Sequence, residues 1–293
     1  MHPQQLDIFD HSRDTVLCND VAAALERREP LGARSAWDKF AEEFPNHDSL
    51  APLSVLVDAL EQRTAVPLQD HESMQDARRA LGELVEPAAL RIFGTPAGSA
   101  WLVTLWRELA QRASPLPFRP ECSDDHAAAL WLRAGDWAAA SEAVARIESW
   151  RRIPAPLAWM AEARYRMLDL DEAWGLLAEL AWLSCDRFDQ LTKRLADPLL
   201  QRLRKGFDAT FEGHGDVRDL AWFPAWILTE KPALSRQLSQ AQRSLHTAPE
   251  QAMRLLLEMI GLERQGRHHD VVARRKALRD AHPSLYMAYM NTR

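Results

Sequence analysis

Leu132-Arg133-Ala134-Gly135-Asp136-Trp137-Ala138-Ala139-Ala140 recurs loosely as Leu168-Asp169-Leu170-Asp171-Glu172-Ala173. With Ala140 matched to Ala173, the two copies stand 33 residues apart. Each copy falls where one apolar-periodic stretch gives way to another. In the first, Trp131 and Trp137 flank a turn at Gly135, and Ala140, Val144 and Ile147 form the inner stripe of the second helix. A small residue such as Ala140 lets two helices approach closely, and Gly135 suits the positive-φ ending of the first. In the second copy Leu170, Ala173, Leu177 and Leu180 take the same places after Pro154 and Pro156 reset the chain, with Leu168 standing for the glycine.

This phrase and its spacing resemble the tetratricopeptide family, whose unit is a helix–turn–helix of about 34 residues. Two further stretches carry the resemblance. Ala33, Trp37, Phe40 and Pro45 occupy the family's small, large, apolar and terminal-proline places, although the helix before them lacks the usual glycine. Near the end, Leu255, Met259 and Leu262 lead into Gln265-Gly266-Arg267, followed by Val271, Arg275, Leu278 and Pro283, with Arg275 where an aromatic is usual. The resemblance implies an all-α fold, a tetratricopeptide-like α-solenoid of stacked helical hairpins, acting as a scaffold without an active site of its own. Its groove would be lined from the first helices of the hairpins, around Trp131, Trp159 and Arg164, and would hold a peptide or a helix of a protein partner.

Outward from these units the pattern is helical but unsigned. Leu53 to Leu60, Met74 to Leu84, and roughly Ser99 to Arg112 read as amphipathic helices, the last carrying Trp101, Leu102, Leu105, Trp106 and Leu109 on one face. Ser114-Pro115-Leu116-Pro117-Phe118-Arg119-Pro120 contains three prolines and cannot be regular helix. Pro198 interrupts a helix that follows Asp186, Gly213 to Asp216 reads as a loop, and Leu220 to Leu228 is apolar on all sides and should be buried. No alternating pattern is long enough to build a sheet. The expected organisation is a leader over 1–13, helical hairpins with one tetratricopeptide-like unit over 14–119, and a helical array over 120–293. Just after the leader, Asp14 or Asn19 is placed to cap the first helix.

Apolar residues are 47% of the 293, enough to bury a substantial core. A net charge of −6 gives no general attraction to nucleic acid or to an anionic membrane, so neither is expected as a direct ligand. No apolar run reaches the roughly 18 residues that span a bilayer, and Met1 to Gln5 lacks the features of a signal peptide, which together predict a cytoplasmic protein. Cys18, Cys122 and Cys185 are far apart and never in a CxxC pair, so a disulfide framework or zinc finger is not expected. Cys18 and Cys185 read as small buried side chains, and Cys122 as a loop residue. The eleven tryptophans, at helical spacings such as Trp101/Trp106 and Trp222/Trp226, read mostly as core.

Few constellations could carry chemistry. Gln5-Leu6-Asp7-Ile8-Phe9 resembles the short peptide by which bacterial proteins dock on the DNA polymerase sliding clamp, Gln-Leu-Ser/Asp-Leu-Phe. The resemblance implies a bacterial replication or repair accessory factor in which Leu6, Ile8 and Phe9 enter apolar pockets and the Gln5 amide bonds the rim. The simpler alternative is that Ile8 and Phe9 staple the tail to the first hairpin. His268-His269-Asp270, with His282 one helix-length away, is the one local cluster of potential ligands. Adjacent histidines on a helix point about 100° apart, however, so no metal and no cofactor is expected. The basic tracts Arg187 to Lys205 and Arg264 to Arg279 also hold acids and read as solvated faces. Asp124 and Asp125 precede an Ala-rich helix and suit its positive N-terminus. No Gly-rich phosphate loop and no serine elbow is present, so an enzyme would need a site assembled from residues distant in sequence.

Overall fold

The computed structural model describes the backbone of residues 3–243 and 247–292, and the side chains of that range apart from residues 3–12 and His268. Sixteen α-helices and no strand occur among the described residues. They form two compact units, Met1–Asp136 and Trp137–Arg293.

In the first unit, α1 (Pro3–Glu26) packs on α2 (Pro30–Glu43), which packs on α3 (Leu50–Glu61). α1 starts well before Asp14 and Asn19, so both lie inside it and neither is its cap. Pro30 opens α2, because a first-turn proline gives up an amide that would have no intrahelical partner. Ala33 and Phe40 are fully buried, and Trp37 donates its indole N–H to the Leu50 carbonyl.

The turn between α1 and α2 has the hydrogen bonds of a glycine-terminated helix without the glycine. The Glu29 amide reaches the Ala24 carbonyl and the Arg28 amide the Leu25 carbonyl, and Arg28 stands at φ 58°. That is the left-handed position, costing a side-chain-bearing residue about 1–2 kcal/mol. The same bonding recurs at Gly135 and Gly266, at φ 69° and 68°, where the sequence supplies the glycine.

Next come α4 (His71–Ala80), a five-residue π-helical segment Leu81–Val85, and α5 (Glu86–Ala113). α5 is two limbs. Gly94 at φ 74° and ψ 167° breaks it, and the limbs fold back until a Cβ at Gly98 would lie 2.7 Å from the Ala89 carbonyl oxygen. The second limb carries the buried stripe Trp101, Leu105, Trp106 and Leu109, and Trp101 donates its indole N–H to the Leu25 carbonyl of α1. α6 (Ala127–Arg133) packs on α5 and ends this unit.

The second unit begins with α7 (Trp137–Ala145), α8 (Pro154–Met167) and α9 (Leu170–Leu183), each packed on the next. α10 (Cys185–Leu195) and α11 (Pro198–Thr210) are separated as Pro198 requires. α12 (Phe223–Glu230) is buried from Phe223 to Thr229, as its all-round apolar sequence predicts, and touches α9 and α11 as well as later helices. The short α13 (Ser235–Leu238) lies on α9. α14 (Ala248–Arg264), α15 (His268–Ala281) and α16 (Pro283–Asn291) follow, α12 packing on both α14 and α16. The three cysteines are free and half-buried, so Cys18 and Cys185 are less enclosed than expected.

Several helices start on an acceptor side chain. Asp70, Asp169, Ser184, Asp197 and Thr247 serve α4, α9, α10, α11 and α14. Two are started by a histidine. The Ala128 amide donates to His126 Nδ1 at 3.1 Å, and the Leu285 amide to His282 Nδ1 at 3.1 Å. The cap of α6 is therefore His126. Asp125 instead turns inward, 4% exposed, to pair with Arg78. Burial, with a smaller push from His71, drives the His126 imidazole from 6.5 down to about 4.

These contacts set the sign of three substitutions. Gly98→Ala should destabilise the chain by about 1–3 kcal/mol because the methyl has no room. Gly261→Ala, with open space around its Cβ, should stabilise it by about 0.5–1 kcal/mol; urea unfolding of the two variants checks both signs. A histidine held neutral in the fold charges first in the unfolded chain, so its contribution is complete above 6.5 and is lost as pH falls toward 4. An asparagine in its place would cap without titrating, so the stability of wild type relative to His126→Asn should drop by about 1 kcal/mol between pH 7.5 and 5.5.

Candidate functional site

The first unit holds a cavity of about 360 Å³ between α3, the π-helical segment and the second limb of α5. Its walls are apolar: Val55 and Ala59 from α3, Leu81, Leu84 and Val85 from the π segment, and Leu105 from α5. A π turn is wider than an α turn and recurs at binding sites. Here the same five residues bury Leu81 and Val85 while leaving Leu84 59% exposed.

One end of the cavity is charged. Arg63 makes a two-pronged ion pair with Glu108, one bond measuring 2.9 Å. Arg112, one turn beyond Glu108, donates Nε to the Val66 carbonyl at 2.9 Å, and its own carbonyl accepts the Leu68 amide. These bonds pin the extended segment 63–69 along α5. Arg63, Thr64, Glu108 and Arg112 also line a second cavity of about 480 Å³, with Pro30 and Gln111 on its far side.

In the second unit, a cavity of about 400 Å³ is lined by charged groups already paired with one another. Asp189 takes Lys193 at 2.6 Å and Arg204 at 2.7 Å, Arg204 also binds Asp208, and Asp219 accepts the His214 and Gly215 amides. The buried acids of this unit are matched in the same way. Glu162 holds Arg194 through both oxygens, and Glu179 accepts the Gln242 amide at 2.8 Å with Arg151 at 3.7 Å. Burial pushes the Glu179 carboxyl up, against the opposing pull of the Gln242 amide and of Arg151 and Arg254. These are the balances of a folded interior.

Trp131 and Trp159 are buried, at 8% and 6% exposure, and belong to the cores of their units; Arg164 is exposed. Gln5, Leu6, Asp7, Ile8 and Phe9 lie within α1, and their side chains fall outside the described residues. The side chain of His268 does too. His282 stacks with Phe211 and lies 4.4 Å from Trp222 between ring centres, besides capping α16. Among the described residues no group of three or more His, Cys, Asp or Glu could hold a metal ion. Many residues of the basic tracts are paired with acids, as in Arg267–Asp270, Arg274–Glu258 and Arg275–Glu263. No helix of the described residues is long and apolar enough to cross a membrane.

Sequence reasoning missed Arg63, Glu108 and Arg112. A charged pair four residues apart at the end of the Trp101–Leu109 stripe is a visible signal for two of them, but Arg63 comes from 45 residues away. No protein-family model matches the chain, and no curated protein and no solved structure matches it.

Proposed function

We propose that this chain is a non-catalytic interaction protein, a scaffold or adaptor whose helical hairpins resemble tetratricopeptide units, and that it docks a peptide or helix of a protein partner. The observation that carries this reading is the cavity of the first unit: about 360 Å³, apolar on three helical walls, with an exposed leucine at its edge. That volume lies at the lower end of the range for ligand pockets, roughly 300–1,000 Å³, and suits a few aliphatic side chains. An amphipathic helix or extended peptide presents such side chains in a row while keeping its polar face in water. The docking place thus moves from Trp131 and Trp159, which are core residues, to Leu84 and its neighbours.

Leu84→Asp places a charge on this surface without entering the core, so stability should change by less than about 0.5 kcal/mol. Affinity capture from the native organism, comparing wild type with this variant, tests the reading. A protein retained by wild type and lost with Leu84→Asp, at unchanged melting temperature, supports it; equal retention by both removes it.

A further inference from the structure

The last helix, α16, is fastened at its two ends by groups of different chemistry. At its start the Leu285 amide donates to His282 Nδ1 at 3.1 Å, and the Ser284 hydroxyl donates to a Glu212 oxygen at 2.7 Å. The His282 ring lies on Phe211, 5.4 Å between centres with the planes 30° apart, and against Trp222. Toward the other end the Tyr289 hydroxyl bonds Glu263, which Arg275 holds at 3.3 Å. Leu285 and Tyr289 are buried, while Met287 between them is exposed.

The two fastenings answer differently to acid. A ring nitrogen that accepts an amide hydrogen carries no proton, so His282 is neutral here, its one ring hydrogen on Nε2. A proton added at Nδ1 would set donor against donor and place a cation at the positive end of α16. Burial pushes this imidazole below 6.5, with Asp219 and Glu212 opposing. Both acids are already engaged, Asp219 by the His214 and Gly215 amides and Glu212 by Ser284. Of the other charges nearby, Arg218 in the turn Val217–Trp222 pairs with Asp216, and Arg279 of α15 with Asp280. α12 has no ionisable group before Glu230. At the far end, neither a phenol nor a guanidinium titrates between about pH 5 and 8.

We propose that His282 is an acid-sensitive latch on α16: its protonation lifts the start of the helix from Phe211 and Trp222, while Tyr289 keeps the other end in place. The fold binds the neutral ring, so the fastening is complete above 6.5 and is lost as pH falls through the lowered value. Phe211 and Asp219 also line the charged cavity of this unit, so the lift uncovers part of one wall. The device is independent of the docking surface around Leu84.

Amide hydrogen exchange of the full-length protein, corrected for the intrinsic rate, tests the latch. Between about pH 7.5 and 5, exchange in the first turn of α16 should quicken about fivefold, the effect of a lost cap. α14 starts on Thr247, whose hydroxyl does not titrate, so its protection should hold. His282→Asn caps without titrating and should remove the change, whereas His282→Ala should exchange fast at both pH values. The Cε1 proton signal of His282 should titrate below 6.5. Unchanged protection of α16 in the wild type overturns the proposal, as does a change that His282→Asn retains. Equal quickening of α14 and α16 overturns it in favour of a general loosening, and a His282 titration at or above 6.5 overturns it as well.

Discussion

The first unit depends on a contact that a single methyl group would prevent. Ala89 and Gly98 would lie about 13 Å apart along an unbroken helix axis. The hinge at Gly94 brings them together, and the absent side chain at Gly98 lets the Ala89 carbonyl pass. Everything around the cavity follows from that reversal. The returning limb turns Trp101, Leu105 and Leu109 into the core, and its polar edge then lies against the segment that carries Arg63 and Leu68. Trp101 also holds the end of α1, bonding the Leu25 carbonyl through its indole.

Both units pair their inward-facing acids. In the second, the inward-facing acids Glu162 of α8 and Glu179 of α9 each meet an arginine that reaches out to solvent. This stabilises a specific packing and offers no free valence. In the first, the inward-facing Asp125 meets Arg78, and Glu108 at the edge of the cavity meets Arg63.

Local chemistry makes much of the fold readable in the sequence. Gly135 and Gly266 mark left-handed helix ends, Pro198 separates α10 from α11, and the evenly apolar run around Trp226 becomes the enclosed α12. These signals act within a few residues and do not depend on tertiary partners. Where a common residue does an uncommon job, the reading fails. Arg28 stands where a glycine is usual, and a histidine, His126, caps α6. The capping-box spacing of Thr247 and Glu250 is a further local signal, marking the start of α14, that the apolar pattern alone passes over. The cavity itself is illegible for a different reason. Its walls join α3, the π segment and the second limb of α5 through a reversal that Gly94 permits but does not announce, and helical periodicity carries no information about which stripes meet.

The π segment has a consequence for helical phase. From His71 to Phe93 the chain runs through α4, the wide turn and the first limb of α5 without a break. One extra residue in that turn offsets everything after it by about 100° around the axis. The offset sets which backbone of the first limb, at Ala89 and Leu90, comes against Gly98. Deleting a single residue between 81 and 85 would make a more regular helix and a worse protein, because the limb would present the wrong side chains to its own return.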